Sequence, residues 1–232
     1  MKAIDRIKKQ LVRQAVSLTP GGFRPANTAN ESWIGKVYLF KEEEGIPTDQ
    51  EGVLMIPLLQ LCVESMPFIP APLEHIQVLT IFIGEEMPDD VAMNGEGWLI
   101  RTYSKEDKLI IFETENENSK LKAFPLKATF VKEDYPVWDG GGLSEALEDE
   151  IVELEESGEI GDYGEVAENV YGHKLGGYPS FNQPGIDFGP GFDFVLQISS
   201  DDKVGLNIVD QGTLFFAVNK KTNEWKMYSD FY

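Results

Sequence analysis

Three strings set the layout of the second half of this chain: His173 to Pro179, Phe192 to Asp202, and Gly212 to Val218. Gly176 and Gly177, ahead of Tyr178-Pro179, mark a turn. Glycine reaches positive φ without steric cost, and proline biases the residue before it toward an extended backbone. Phe192 to Ile198 alternates only in part, which fits a strand covered on both faces. Gln197 lies inside it, so its amide requires partners, such as backbone groups of a neighbouring strand or turn. Ser199 to Asp202 reads as a polar exit loop. Gly212 then opens a second strand, Thr213 to Val218, rich in β-formers.

A fainter version of the same order occupies the first half. Trp33 to Tyr38 stands where His173 to Tyr178 stands. Leu58-Leu59-Gln60-Leu61 matches Val195-Leu196-Gln197-Ile198, and Gln77 to Ile83 matches Gln211 to Ala217. Three ordered matches favour internal duplication over chance. The expected fold is α+β: mostly antiparallel β, with an internally duplicated β-rich core and two amphipathic helices on the outside. A single domain is expected over residues 1–232, with pseudo-repeats at 23–90 and 165–232. A β-meander and an acidic helix are expected between them, at 91–164.

The strings His-Lys-Leu-Gly-Gly-Tyr-Pro, Val-Leu-Gln-Ile-Ser-Ser-Asp-Asp and Gly-Thr-Leu-Phe-Phe-Ala-Val resemble the YwqG-like family of bacterial proteins. They cover about a quarter of the chain well and the first half loosely. The chain departs from the family pattern at Gly35-Lys36-Val37, where a second Gly-Gly-x-Pro is usual. The resemblance implies a duplicated β-rich core and brings no catalytic residues. Some family members are encoded near contact-dependent toxin systems, so it also implies, by analogy, an immunity or toxin-neutralising role.

A length of 232 residues suits one large domain or two small ones, and 42% hydrophobic with 11% aromatic residues is ample for a packed core. The formal charge of −20 argues against nucleic acid, which needs cations to displace counterions, and against an anionic membrane surface. It suits a soluble protein or one with a basic partner. The single cysteine, Cys62, sits in an apolar run and reads as core, in a reducing cytoplasm. No secretory leader pattern is evident. The apolar run from Val53 to Val63 contains Pro57 and Gln60 and is too short to span a bilayer.

Taken in order, Ala3 to Leu18 reads as an amphipathic helix. Ile4, Ile7, Leu11, Ala15 and Leu18 form its stripe, expected to lie on the sheet, and Lys2, Arg6, Lys8, Lys9 and Arg13 form its basic face. Strands are expected at Trp33–Phe40, around Pro57, at Ile76–Ile83, and as a meander at Trp98–Tyr103, Lys108–Glu113 and Phe124–Lys132. Pro57 requires an edge strand, a bulge, or a strand that starts after it. Asp134 to Gly142 is a proline- and glycine-rich break. Leu143 to Ser157 reads as a helix with Leu143, Leu147, Ile151 and Leu154 on one face and Gly158 as its stop. Eleven acids and no lysine or arginine fall between Glu145 and Glu168. That run is either a solvated face or a docking surface for a basic partner.

Chemistry is thinly signalled. His75 and His173 are the only histidines, and no Gly-x-Ser-x-Gly, Walker-type or dinucleotide loop is present. His173 is expected to bond a backbone carbonyl at the turn. No catalytic residue, metal site or cofactor is assigned, and the oligomeric state is open. Two functions remain. The first is a non-enzymatic, cytoplasmic, acidic binding protein, immunity- or chaperone-like toward a basic protein. Its contact surface is formed by Glu145, Glu148, Asp149, Glu153 and Glu156. The second is a small-ligand or metal module in a cleft between the repeats. It draws on His173, Lys174, Gly176, Gly177, Tyr178, Pro179, Gln197, Asp201, Asp202 and Gln60.

Overall fold

The computed structural model describes residues 3–26, 28, 31–88, 90–112 and 119–231. Helix α1 (Ala3–Leu11) leads into β1 (Arg13–Pro20), and β2 (Trp33–Ile34), β3 (Leu39–Phe40), β4 (Ile56–Cys62) and β5 (Val78–Ile83) follow. The chain continues through β6 (Ala92–Met93), β7 (Trp98–Tyr103), β8 (Ile110–Ile111) and β9 (Phe124–Asp134). Helices α2 (Glu145–Glu156) and α3 (Tyr163–Val166) precede β10 (Lys174–Gly176), β11 (Phe192–Ser199), β12 (Thr213–Asn219) and β13 (Trp225–Asp230). The expected strand at Lys108–Glu113 is thus two residues long among those described, and Glu113 and Lys2 lie outside them.

Eleven strands form one antiparallel sheet in the order β6-β13-β12-β11-β10-β1-β9-β2-β4-β5-β7. The order reads outward from the central pair β1–β9. On one side lie β10, β11, β12 and β13; on the other lie β2, β4, β5 and β7. Each half borrows its first strand. β1 precedes β2 in the chain but pairs with β10, and β9 precedes β10 but pairs with β2. The ladders match in detail. Trp33 faces Gln60 and Lys174 faces Gln197. A bulge falls between Pro57 and Leu59 in β4 and between Phe194 and Leu196 in β11. Pro57 is therefore tolerated inside an interior strand because it sits at a bulge.

Several expectations change. The helix predicted to Leu18 stops at Leu11, and Ala15, Val16 and Leu18 are buried in a strand. Val16 and Leu18 share one face at strand spacing, and two waiting partners, β9 and β10, outweigh the helical stripe. What remains of the stripe does not lie on the sheet. Ile7 and Leu11 pack with Ile151 and Leu154 of α2 and with Tyr135 and Tyr163. The segment predicted as a meander is not one: β7 pairs with β5, β8 with β3, and β9 runs through the centre of the sheet. The first and third sequence matches each slip by one residue, and Trp33 corresponds to Lys174 rather than to His173. Gln60 faces Thr80 and Gln197 faces Phe215, so Thr80 corresponds to Phe215 rather than Leu214. In a strand that slip exchanges faces.

The sheet curls until its ends approach. Trp98 of β7 packs on Phe216 of β12 with ring centroids 5.4 Å apart. Their shared interior is apolar, built from Leu59, Leu61, Leu79, Ile81, Leu196, Ile198 and Leu214 among others. At the closing seam, β6 pairs with β13 through Met93–Lys226 and Ala92–Met227. The Asn94 side chain stands in for a strand there, accepting from Ile100 N–H (2.8 Å) and donating to Ile100 C=O (3.1 Å). No helix among the described residues is long and apolar enough to cross a membrane.

Helix α2 ends where its glycine predicts. Gly158 takes φ +73°, Glu159 N–H reaches Leu154 C=O (3.0 Å), and Gly158 N–H reaches Glu155 C=O (3.0 Å). This left-handed stop satisfies carbonyls that the helix would otherwise leave open.

Candidate functional site

The glycine bend of the second half is built around a buried ion pair. Gly176 (φ +74°) and Gly177 (φ +70°) both adopt left-handed backbone. A Cβ on Gly177 would overlap the carboxylate of Asp134, so only glycine fits. The bend presents Tyr178 N–H to Asp134 Oδ2 (2.7 Å), and Val170 N–H reaches Oδ1 (2.7 Å). Lys174, on β10, donates to the same carboxylate at 3.1 Å, and both side chains are fully buried. Its ammonium also lies 3.3 Å from Ser180 Oγ and 3.5 Å from Asn169 Oδ1. Burial pulls the Lys174 pKa down from 10.5 to about 8, against the opposing attraction of Asp134.

Gln197 completes the group. Its Oε1 accepts from Ser180 N–H (3.0 Å), and its Nε2 donates to Gly172 C=O (2.8 Å) and Ser180 Oγ (3.0 Å). Asn169 Nδ2 donates to Tyr135 C=O (2.7 Å). The set pins the end of β9, the segment before β10 and the bend to one another. Asp134 spends its oxygens on three donors, and Lys174 is sealed from solvent. The arrangement is suited to holding backbone in place rather than to proton transfer or nucleophilic attack.

The first half repeats the device with different side chains. Gln60 is fully buried; its Oε1 accepts from Tyr38 N–H (3.1 Å) and Leu39 N–H (3.0 Å), and its Nε2 donates to Glu31 C=O (3.1 Å). Gly35 takes φ +74°, as Gly176 does, but Lys36 does not share the left-handed backbone of Gly177. At the ion-pair position stands Trp33, with Lys36 Nζ over its ring at 5.5 Å and over the Tyr38 ring at 5.2 Å. Each bend opens onto a shallow recess. That of the second half is 300 Å³, bordered by Gly176, Gly177, Arg13 and Phe194; that of the first is 220 Å³, bordered by Gly35, Lys36, Leu121 and Pro57.

His173 is buried and neutral in character. Its Nδ1 accepts from Ser199 N–H (3.1 Å), where a bond to a carbonyl was expected, so the ring proton belongs on Nε2. Nε2 lies 3.5 Å from Asp201 Oδ2 without forming a hydrogen bond. Burial lowers the His173 pKa, and Asp201 opposes that only in part. Asp201 Oδ1 caps a tight turn through Val204 N–H (3.0 Å), and Asp202 is exposed. Tyr178 OH donates to Leu11 C=O (2.7 Å), and its ring lies 3.9 Å below the Arg13 guanidinium. Pro179 is half-buried beside it. Cys62 is buried, with its thiol pushed up to about 12 by burial.

The structure therefore brings together Lys174, Gly177, Tyr178 and Gln197. Gln60 belongs to a separate hydrogen-bond set with no residue in common. Asp134, Asn169 and Ser180 were not singled out from sequence. Ser180 directly follows the quoted bend, but nothing in the string marks Asp134 as the partner of Lys174 across the chain. Among the described residues, no three His, Cys, Asp or Glu side chains converge as metal ligands.

The predicted partner surface lies on α2. Ile151 and Leu154 are buried against α1, while Glu145, Asp149, Glu153 and Glu156 are exposed and Glu148 is half-buried. Among the described residues three acids of the run are engaged: Glu150 pairs with Arg6 of α1, Glu155 accepts from Tyr163 N–H (2.8 Å), and Asp162 Oδ1 accepts from Glu165 N–H (3.0 Å).

A family model described as a domain of unknown function (DUF1963) matches residues 32–232. The match begins just before β2 and leaves α1 and β1 outside it. No curated protein matches the chain.

Proposed function

The chain belongs to the family described as a domain of unknown function (DUF1963), and from that premise we propose that it is a non-enzymatic, acidic binding protein for a basic protein partner. Within the family we place it among the YwqG-like proteins, in the cytoplasm, with an immunity- or chaperone-like role. We also take its two halves to descend from one duplicated unit. The matched bulges, the two glutamine amides and the exchanged first strands support that descent.

One observation carries the binding reading. α2 turns its apolar stripe onto α1 and directs Glu145, Asp149, Glu153 and Glu156 to solvent, with no cation set against them among the described residues. Like charges on adjacent helical turns repel by a few tenths of a kcal/mol per pair, roughly, so the face carries a cost that a basic partner would relieve. The small-ligand reading draws less support. The space between the halves is filled by apolar side chains, and the two glutamines act locally.

The test is affinity capture at low salt, identification of the retained protein, and titration of the purified pair. A basic partner released as salt rises supports the proposal, because exposed charges are screened beyond about 10 Å at 0.1 M. The triple change Glu148→Lys, Glu153→Lys, Glu156→Lys should weaken binding at least tenfold, roughly, if these acids form the contact. Capture of only neutral or acidic partners, or a triple variant that binds like the parent, would sink it.

A further inference from the structure

A third recess, far from the Lys174 group in the sheet order, lies at the closing seam. It has a volume of 640 Å³ and is formed by the hairpin tip beyond the Thr48–Leu54 bridge and by residues 84–88 and 90–97 around β6. Its floor is apolar: Met87, Pro88, Val91 and Ala92, with Val53 40% exposed beside them. Its rim carries six carboxylates, from Asp49, Glu51, Glu85, Glu86, Asp90 and Glu96. Among the described residues no lysine or arginine lines it, and none of the six is in an ion pair. Two nearby cations of the first half are used elsewhere, Lys41 on Asp107 (2.8 Å) and Arg101 near Glu44 (3.8 Å).

Three of the rim acids are held in place by local backbone. Asp49 accepts from Val53 N–H (2.8 Å), Asp90 from Val91 N–H (2.7 Å) and Glu96 from Met93 N–H (2.8 Å). The groove thus presents an anionic rim, held in part by local backbone, beside an apolar floor. A bare polycation would satisfy the rim and leave the floor hydrated. An uncharged apolar ligand would cover the floor and strip water from unpaired carboxylates, which is costly. A peptide that carries apolar side chains between its cations satisfies both.

We propose that this groove binds a basic peptide segment in which one or two apolar side chains are flanked by lysines or arginines. The proposal rests on the reading above that the partner is basic, and it assigns a second contact, distinct from α2.

The probe is a fluorescein-labelled peptide, Lys-Arg-Leu-Leu-Arg-Lys, compared with Lys-Arg-Ser-Ser-Arg-Lys of equal charge, by anisotropy on the full chain. The leucine peptide should bind about tenfold tighter or more, since each buried leucine is worth at least that factor. Glu85→Lys with Glu86→Lys should weaken it at least tenfold, roughly, and Val53→Ser should bring the two peptides closer together. The α2 triple reversal should leave it within about twofold. Thermal melts of each variant establish that it is folded. Equal binding of the two peptides, or no change in the Glu85/Glu86 variant, overturns the groove. Loss of binding only in the α2 variant overturns the groove and leaves the basic-partner reading standing. Absence of peptide binding in the parent, with capture of a basic partner intact, does the same.

Discussion

The two glycine bends use one backbone solution and two side-chain chemistries. In both, a left-handed glycine follows a short strand and the next segment folds back. A buried glutamine from the neighbouring strand then accepts backbone N–H from the segment that follows, from Tyr38 and Leu39 in the first half and from Ser180 in the second. The match extends further. Ser32 Oγ accepts from Cys62 N–H (2.9 Å), and at the corresponding place His173 Nδ1 accepts from Ser199 N–H (3.1 Å). The side chains beside this frame differ. The first half fills the space with Trp33, Tyr38 and the Lys36 stem; the second installs Lys174 against Asp134. Backbone groups taken out of water must be paired, so the glutamine has little freedom to change. The neighbour only has to fill volume, by packing or by a charge pair.

The comparison is most exposed at Asp134. Asp134→Ala would leave a buried ammonium and two backbone N–H groups without their acceptor, at a cost of about 3–5 kcal/mol. Nothing at the matching place in the first half carries such a charge. Urea midpoints measure it, and adding Lys174→Met should recover part of the loss, because the two residues share one network. A double variant as unstable as Asp134→Ala alone would mean that the charge pair is not what fails. Next in size, Gln60→Leu and Gln197→Leu should each cost about 2–3 kcal/mol by leaving buried N–H groups unsatisfied. Similar losses from both would support a shared device. A neutral Gln60→Leu would confine it to the second half.

Much of this frame was legible because turn chemistry and strand period are local. Gly176-Gly177-Tyr178-Pro179, the covered strands around Gln60 and Gln197, and the α2 stripe with its Gly158 stop all stand where the residues place them. What was not legible depends on partners distant in the chain. β1 is a strand because β9 and β10 flank it, although the spacing of Ile7, Leu11, Ala15 and Leu18 that runs from α1 into it reads as helix. Phe124 to Lys132 is a plausible strand anywhere, and only the exchange of first strands puts it at the centre of the sheet. Asp134 looked like the start of a proline-rich break because nothing local distinguishes a carboxylate that meets a lysine forty residues on. The acidic groove was hidden in the same way. Its rim comes from two loops, before β4 and after β5, that the β4–β5 pairing sets side by side.

Lys174 has a pH signature that the first half lacks. Its pKa falls from 10.5 unfolded to about 8 folded, so between those values the unfolded chain binds the extra proton. Stability should therefore rise as pH is raised from about 8 toward 10.5, and below 8 the full cost of the buried charge is present. Denaturant midpoints across that range should climb in the parent more steeply than in Lys174→Met.

The smallest effect separates Ser32 from His173, which occupy one backbone position with one titratable group between them. Burial holds the His173 pKa below its ordinary 6.5. As pH falls through 6.5 the unfolded chain takes up a proton that the folded chain refuses, so the stability present above that value is lost on acidification. Protonating Nδ1 would also cost the bond from Ser199 N–H, whereas Ser32 keeps its bond from Cys62 at any pH. His173→Asn retains an acceptor without a titration. It should lower stability at neutral pH and flatten its decline between pH 7 and 5 relative to the parent, read from paired urea titrations. An unchanged slope would place the acid sensitivity elsewhere, and the two positions would then differ in shape but not in behaviour.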